Sequence, residues 1–373
     1  MSETELKRTP FYELHLSLKA KMIPFAGFEM PVQYPTGITK EHEIVRTSVG
    51  VFDVSHMGEF EFSGPDRNAF VNRITCNDVG ALRDGQAQYS AILSDQGTFV
   101  DDCIVYRFDD RVMMVVNAAN IEKDWEFITR RKAGNVRIKN ISDEVALLAV
   151  QGPASESLLQ PLTKIDLSKL PYYHFEVGSV AGVECFVART GYTGEDGFEL
   201  FFRPAHAEVM WHALVGPGRA APVGLGARDS LRLEMGYPLY GSDIDETINP
   251  YEAGLGWIVK LDKGVPFVGR AALERIKEKG PARRLVGFRC LEKGVIPRHG
   301  YDVYLNGYKV DIVRSGGFSP TLKEAIGTTY LPIHSVAPGT KFVIDCRGKK
   351  VEAEVVKLPF YTGGSVKRAK KPA

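Results

Sequence analysis

The sequence has few cysteines, and nothing in their positions suggests that they act together. Cys76, Cys103, Cys185, Cys290 and Cys346 are odd in number and far apart, without a CxxC pair. A disulfide framework and a cysteine-based metal site are therefore excluded, and the eight histidines form no metal-type cluster either. We expect reduced thiols and a cytoplasmic location.

Long apolar runs and a charge imbalance are also missing. No segment approaches the roughly 20 apolar residues of a bilayer crossing, and the start MSETELKRTP lacks a signal-peptide core. With 47 basic and 46 acidic residues, no global field favours nucleic acid or a membrane surface as a partner. The one charge run, Lys367 to Lys371, predicts only a solvated terminus.

The motifs of common nucleotide and zinc enzymes are absent. Gly191, Gly194 and Gly197 follow the spacing GxxGxxG, and Gly224 opens GLGARD, so neither stretch is a dinucleotide-binding GxGxxG. Neither GxxxxGK[ST] nor HExxH occurs. These absences predict no bound nucleotide and no metal.

The patterns that are present predict an α+β protein of two or three domains, since 373 residues exceed one core of usual size. Helical patterns span 120–131 and 205–214, the second with Val209, Trp211 and Leu214 on its apolar side. The predicted strands, rich in Val, Ile, Phe and Tyr, are 59–62, 89–93, 103–108, 112–117, 145–151, 183–190 and 198–202.

From about Arg283 the pattern changes to short strands separated by Gly and Pro. These strands are LVGFRC, YDVYL, KVDIV, KFVIDC and VEAEVV. They predict an all-β C-terminal domain, a small barrel or sandwich, joined to the rest by 250–281 and its helix pattern FVGRAALERIKEKG.

The stretch RTGYTGEDGFELFF predicts a hairpin with a tight glycine turn and a carboxylate in its second strand. Strand alternation puts Phe198, Leu200 and Phe202 on one face and Glu199 with Phe201 on the other. A carboxylate among apolar neighbours needs a partner. Two interpretations have even weight: a structural Arg or edge-strand exposure, or acceptance of a planar two-N–H fork such as that of a pterin.

The acid pair Asp101 and Asp102 leads into the apolar strand CIVYRF. Because adjacent strand residues face opposite ways, we expect one acid to face the core or a cleft and the other to meet solvent. In a cleft it would accept hydrogen bonds or act as a base toward an amine. From spacing alone, an acid in a strand-start turn is the stronger interpretation.

Arg228 lies in GLGARDSLRLEMG, a predicted helix with Ala227, Leu231 and Met235 stacked at i+4 and Gly236 as its stop. It shares another face with Arg232. A salt bridge to Asp229 or Glu234 competes there with a cleft-facing role toward an anionic ligand tail.

Aromatic and imidazole side chains carry weaker signals. Tyr89, Tyr172, Tyr192 and Trp257 individually favour core positions over ligand platforms. His56, in FDVSHMG, favours a hydrogen-bonded structural histidine over a base.

Read together, these stretches resemble the aminomethyltransferase (T-protein) family of the glycine cleavage system along nearly the whole chain. The resemblance rests on RTPFYELH, FAGFEMPVQY, SVGVFDVSHMGEF, VDDCIVY, VVNAANIEKD, LLAVQGP, RTGYTGEDGFEL, GLGARDSLRLEMGYPLYGSDID, NPYEAGLGWIVKLDK, SGGFSPTL and KLPFY. It departs from the family at Thr98, where a second Gly is frequent, and after PFY, where Thr362 to Ser365 replace a basic residue of some members.

The resemblance implies a three-domain cloverleaf around a central folate channel. Residues 1–51 and 141–249 would form a discontinuous folate-binding first domain, 52–140 an inserted second domain with the catalytic acid, and 250–373 the linker and C-terminal β-barrel domain.

The resemblance also implies the site. Asp102 would be the catalytic acid, and Glu199 would hold the pterin fork. The other folate-binding positions implied are Met57, Tyr89, Asn117, Tyr172, Tyr192, Arg228, Trp257 and Arg298.

The activity implied is transfer of a methylene carbon from S-aminomethyl-dihydrolipoyl H-protein to the co-substrate tetrahydrofolate, without metal, flavin or nucleotide. One alternative is a folate-dependent demethylase, although its oxidase members carry a flavin domain for which 373 residues leave no room. The other is a non-catalytic folate-binding relative, whose KGC-type cysteine motif is missing here.

Overall fold

Four β-sheets organise the chain in the computed structural model, which describes residues 6–366. The strands in chain order are β1 (Lys7–Arg8), β2 (Lys21–Phe25), β3 (Phe28–Gln33), β4 (Gly50–Asp53), β5 (Gly58–Ser63), β6 (Gln86–Leu93), β7 (Phe99–Arg107), β8 (Arg111–Val116), β9 (Arg137–Asn140), β10 (Ala146–Gln151), β11 (Phe175–Val180), β12 (Val183–Ala188), β13 (Gly197–Phe202), β14 (Ala221–Pro222), β15 (Arg283–Cys290), β16 (Asp302–Leu305), β17 (Tyr308–Ile312), β18 (Ser315–Ser319), β19 (Glu324–Pro332), β20 (Lys341–Cys346) and β21 (Lys349–Val356).

Eight α-helices accompany the strands within the described part of the chain. They are α1 (Tyr12–Ser17), α2 (Ile38–Thr47), α3 (Arg67–Ile74), α4 (Ile121–Arg130), α5 (Ser155–Leu159), α6 (Ala207–Leu214), α7 (Leu225–Glu234) and α8 (Arg270–Lys279). The first five residues and the predicted charge run Lys367 to Lys371 lie outside the described residues. The α+β prediction is confirmed.

Sheet I has the strand order β11-β12-β13-β10-β4-β14. The predicted alternation along β13 is confirmed, because Phe198, Leu200 and Phe202 pack in one core cluster while Phe201 packs in another. The connection from β12 to β13 is not a tight turn, however. It is the loop 189–196, whose ends are joined by a buried ion pair between Arg189 and Asp196, 2.6 Å apart.

Sheet II has the order β6-β7-β8-β5-β9. All of its strands fall between residues 58 and 140, within the segment predicted to be an insertion. The predicted start of that segment, residue 52, falls inside β4. β4 is hydrogen-bonded to β10 and therefore belongs to sheet I. The domain boundaries remain a prediction.

Sheet III has the order β17-β16-β20-β21-β15-β19-β18, and it contains every strand after residue 282 in the described chain. The sheet curls so that β17 packs against β19, where the Tyr330 amide donates to Asp311 at 2.8 Å. The all-β C-terminal domain is confirmed, although β18 and β19 were not among the predicted strands.

The fourth sheet, β1-β3-β2, was also not predicted, because prolines interrupt both of its longer strands. The start of α7 packs against β3 so closely that a Cβ on Gly224 would lie 2.5 Å from the Val32 carbonyl carbon. This close packing explains the glycine of GLGARD without any phosphate-binding role.

Two helix predictions have different outcomes. In α6 the buried face consists of Ala207, Met210, Trp211 and Leu214, and Val209 is 53% exposed, so its predicted apolar position is wrong. The residues i, i+3, i+4 and i+7 share a helix face, and Val209 lies off that stripe. α7 ends at Glu234, two residues before Gly236 with φ 65°, as predicted.

Candidate functional site

A cavity of about 790 Å³ lies where sheets I, II and III meet. This volume suits a small-molecule ligand of cofactor size. The cavity lining includes nine of the ten residues that the sequence implied for the site. They are Met57, Tyr89, Asp102, Asn117, Tyr172, Tyr192, Glu199, Arg228 and Trp257.

Arg298 is the exception. It is exposed in the connection between β15 and β16, and it is not part of the cavity lining. Sheet III reaches the cavity instead through β15 residues 284–287 and through the chain around Leu358. The role implied for Arg298, near the folate and its glutamyl tail, therefore stays a prediction. The KLPFY stretch was the sequence signal for the missed Leu358.

Glu199 reaches the cavity from β13. Its Oε2 accepts hydrogen bonds from Thr190 and, at 3.3 Å, from the Tyr106 hydroxyl. No Arg pairs with it in residues 6–366, so the structural-Arg interpretation is wrong. Burial raises the pKa of Glu199, and hydrogen bonding from Thr190 and the charge of Arg228 oppose that rise. Since both hydrogen bonds use Oε2, Oε1 is left to receive a donor from a ligand.

Asp102 reaches the cavity from β7 of sheet II. Its carboxylate accepts hydrogen bonds from the Tyr89 hydroxyl at 2.9 Å and from Asn117 Nδ2 at 2.7 Å. Burial and then the charge of Asp101 raise the pKa of Asp102 to about 7. The carboxyl group therefore changes charge near neutral pH, and such shifts are frequent at functional sites.

Asp101 does not meet solvent, which corrects the expectation for its side of the strand. It is fully buried. It accepts hydrogen bonds from the backbone N–H of Asn117 at 3.0 Å, from Asn117 Nδ2 at 2.8 Å and from Asn120 Nδ2 at 2.7 Å. The alternation itself holds, but the opposite face of sheet II is covered by α3 and α4 and is not open to water.

Arg228 extends from α7 into the cavity lining, with its guanidinium 5.1 Å from the centre of the Tyr192 ring. It makes no ion pair with any described residue, and the predicted partner Asp229 binds Arg232 instead, at 2.7 Å. Burial lowers the pKa of Arg228. A buried guanidinium without an acid partner is available to a ligand.

Aromatic rings form the walls of the cavity. Trp257 is 61% exposed and lies 6.1 Å from the Tyr89 ring, while Tyr192 stacks on Tyr237 at 5.7 Å. Tyr172 also lines the cavity. The core interpretation is wrong for Trp257, whereas Tyr89, Tyr172 and Tyr192 border the cavity and also pack against neighbouring side chains.

His56 is buried between the rings of Phe25 and Phe28, but its Nδ1 has no hydrogen-bond partner in the described chain. Burial and then the charge of Arg228 lower its pKa to about 4. The histidine is therefore neutral at physiological pH, and it is not the hydrogen-bonded residue that the sequence predicted.

The remaining expectations concern metals, cysteines and membranes. Among residues 6–366, no group of His, Cys, Asp and Glu has an arrangement suited to a metal ion. All five cysteines are free thiols. None of the helices in the described region has the length and apolar character needed to span a bilayer.

The chain matches known proteins along nearly its whole length. Residues 11–263 match the family described as GCVT N-terminal domain, and residues 283–362 match the Glycine cleavage T-protein C-terminal barrel domain. Curated relatives called aminomethyltransferase include one from Bacteroides thetaiotaomicron, 49% identical over 95% of this chain and 99% of its own. Another, from Flavobacterium psychrophilum, is 48% identical with the same coverage.

A solved structure has the same fold. The glycine cleavage system aminomethyltransferase T from Bartonella henselae superposes with a TM-score of 0.92 at 34% identity. The match covers 97% of this chain and 100% of that one.

Proposed function

This chain belongs to the glycine cleavage T-protein family, and from that premise we propose that it transfers a methylene carbon from the H-protein to tetrahydrofolate. The donor is the S-aminomethyl-dihydrolipoyl group of the lipoylated H-protein. The products are 5,10-methylenetetrahydrofolate, ammonia and dihydrolipoyl H-protein. The chain is thus an aminomethyltransferase that uses tetrahydrofolate as a co-substrate.

One observation carries the proposal: a single cavity contains Glu199 of sheet I and Asp102 of sheet II, beside residues of sheet III. A folate-dependent transfer needs one carboxylate to hold the pterin and a second polar group near the reacting nitrogen. The two acids come from different sheets and line one cavity, which supports a substrate held between them.

The pterin end fits Glu199. Its free Oε1 can accept an N–H of the 2-amino and N3–H fork of a pterin, and Thr190 and Tyr106 hold the carboxyl group in place through Oε2. Arg228 helps to keep the buried carboxyl ionised. The supporting observation is a partly buried carboxylate that lines the cavity and makes no ion pair within residues 6–366.

Apolar and aromatic side chains would hold the flat rings of the substrate. Met57, Tyr172, Tyr192 and Trp257 all line the cavity. Ring stacking contributes affinity without fixing the orientation of the substrate, which the carboxylate then sets. Arg228 would also attract an anionic group of the folate.

Asp102 would act near the reacting nitrogens. In its ionised form it orients the amine region of the substrate and stabilises the positive charge that develops as ammonia leaves. Tyr89 and Asn117 fix the carboxylate for this task through their hydrogen bonds. Since both substrates are held in one cavity, positioning supplies much of the rate.

The transfer rate should fall as the pH decreases through about 7, because Asp102 becomes protonated there and loses its negative charge. The charged and titratable groups that set this value are Asp101 and the Tyr89 hydroxyl. Single-turnover rates with saturating substrates between about pH 5.5 and 8.5 measure this decrease of the transfer rate at low pH. A wild-type profile that is flat across this range contradicts the role of the ionised acid.

The preferred donor should be aminomethylated H-protein. A swinging lipoyl arm needs only a narrow entry, and contacts between the two protein surfaces supply affinity that a free arm lacks. We expect free aminomethyl-dihydrolipoamide to have a much lower kcat/KM. Rates with H-protein, sarcosine, dimethylglycine and a dimethylsulfonium compound at saturating tetrahydrofolate test this. Preference for a small methyl donor contradicts the assignment and indicates a demethylase.

A further inference from the structure

A third carboxyl group lies behind the acid pair of β7. Asp124, in the first turn of α4, is fully buried. Within residues 6–366, neither of its carboxyl oxygens accepts a hydrogen bond from the backbone or from a neutral or basic side chain. A buried carboxylate without a donor is strongly unfavourable, so its charge state needs an explanation.

The polar neighbour of Asp124 is Asp101, and the two carboxyl groups are in hydrogen-bond contact. Two carboxylates in contact in a dry interior cannot both be charged, so the pair must hold a proton. Asp101 accepts three hydrogen bonds from Asn117 and Asn120, which stabilise its ionised form. Asp124 has none of these donors, so the proton belongs on Asp124.

Nothing else on the described chain neutralises Asp124. The nearby Lys123 donates to the Tyr240 hydroxyl at 2.6 Å and to Glu246 at 3.3 Å. No metal-type group includes the three acids. A neutral carboxylic acid that donates to Asp101 removes the unpaired buried charge and gives one oxygen of Asp124 a partner.

Asn117 connects the pair of Asp101 and Asp124 to Asp102 in the cavity lining. Its Nδ2 donates to Asp101 at 2.8 Å and to Asp102 at 2.7 Å, so both of its amide hydrogens are used. The position of Asp101 therefore fixes the amide that holds Asp102.

We propose that Asp124 is a neutral acid at physiological pH and a positioning residue, whose O–H orients Asp101 and, through Asn117, the carboxylate of Asp102. The catalytic consequence rests on the proposed function of Asp102, but the protonation of Asp124 does not.

The electrostatic surroundings agree with this assignment. Burial and then the charge of Asp101 raise the pKa of Asp124 to about 11. The other charged and titratable groups near the pair are Asp102, Lys123, Tyr240 and Cys103. Of these, Lys123 lowers the pKa of Asp124 but does not offset burial.

Infrared spectroscopy of the full-length protein tests the protonation directly, without any substrate. The difference spectrum between wild type and Asp124→Asn at pH about 8 should contain the carbonyl stretch of a protonated carboxylic acid, because unperturbed carboxyl groups titrate near pH 4. Asp143→Asn, which replaces an exposed acid, is the control and should give only carboxylate bands. A carboxylate band in the Asp124→Asn difference overturns the proposal.

Turnover tests the positioning. Asp124→Leu removes the donor and should lower kcat by about tenfold or more, while KM for tetrahydrofolate stays within about twofold. Asp124→Asn restores most of that loss, since its amide also donates to Asp101. Equal losses in the two variants, or an unchanged kcat in Asp124→Leu, overturn the proposal. If Asp124→Leu does not fold, the infrared result and the kcat of Asp124→Asn decide.

The two proposals fail differently. A wild-type chain that makes no methylenetetrahydrofolate contradicts the proposed function, whereas the infrared signature of Asp124 is independent of that activity.

Discussion

Asp102→Asn is expected to lower kcat by about 100-fold or more and to change the Kd of tetrahydrofolate by less than about threefold. The substitution keeps the shape of the side chain, but it removes the negative charge that we propose lies beside the reacting nitrogens. Asn117 can still donate to the new amide oxygen, and the new NH2 group can donate to the Tyr89 hydroxyl, so the side chain stays in place and folate binding changes little. Steady-state kinetics with aminomethylated H-protein and calorimetry with tetrahydrofolate separate the two effects.

Asp101→Asn is the matched comparison for this prediction. Asp101 lies on the opposite face of β7 and acts on Asp102 through Asn117 and through its charge, without facing the cavity itself, so its loss of turnover should be smaller. Equal losses of turnover in Asp101→Asn and Asp102→Asn contradict the assignment of the catalytic charge to Asp102.

Glu199→Ala should weaken tetrahydrofolate binding by about 10- to 100-fold, because losing one member of a charge-assisted pair costs about 1.5–3 kcal/mol. Glu199→Gln keeps one acceptor and should have an intermediate effect. Calorimetry gives the Kd, and circular dichroism checks that the fold is intact.

Glu176→Ala is a suitable control for Glu199→Ala. Glu176 is an exposed carboxylate on β11 of the same sheet and lies outside the cavity lining, so its removal should leave the Kd unchanged. An unchanged Kd in a folded Glu199→Ala protein would contradict the assignment of Glu199 to the pterin site.

Periodicity was sufficient to predict most of the elements and the facing of β13. The alternation of Glu199 and Phe201 against Phe198 follows from the geometry of a strand, whatever surrounds it. The hairpin of β2 and β3 was not predicted, because Pro24 and Pro31 weaken the strand pattern of the sequence. Local pattern therefore predicts elements where propensity and burial agree.

The environment of each side chain was less predictable. Alternation indicated that Asp101 and Asp102 face opposite ways, but not that helices cover the second face. Hydrophobicity placed Tyr192 and Trp257 inside, but it does not distinguish a packed interior from a cavity wall. These properties depend on how distant segments pack, and only the resemblance to a family carried that information.

The resemblance also had a limit. It transferred nine positions to the cavity lining and one, Arg298, to an exposed connection. Arg298 lies in a surface connection, which can move without disturbing a sheet.

The most direct test of the account is a single turnover with H-protein whose aminomethyl carbon carries an isotopic label. The chain, tetrahydrofolate and the labelled donor are mixed, and folate, ammonia and H-protein are analysed separately. We expect the label in the methylene group of 5,10-methylenetetrahydrofolate, with an equal amount of ammonia and with dihydrolipoyl H-protein left behind. Label that stays on the lipoyl arm while folate is bound would contradict the account.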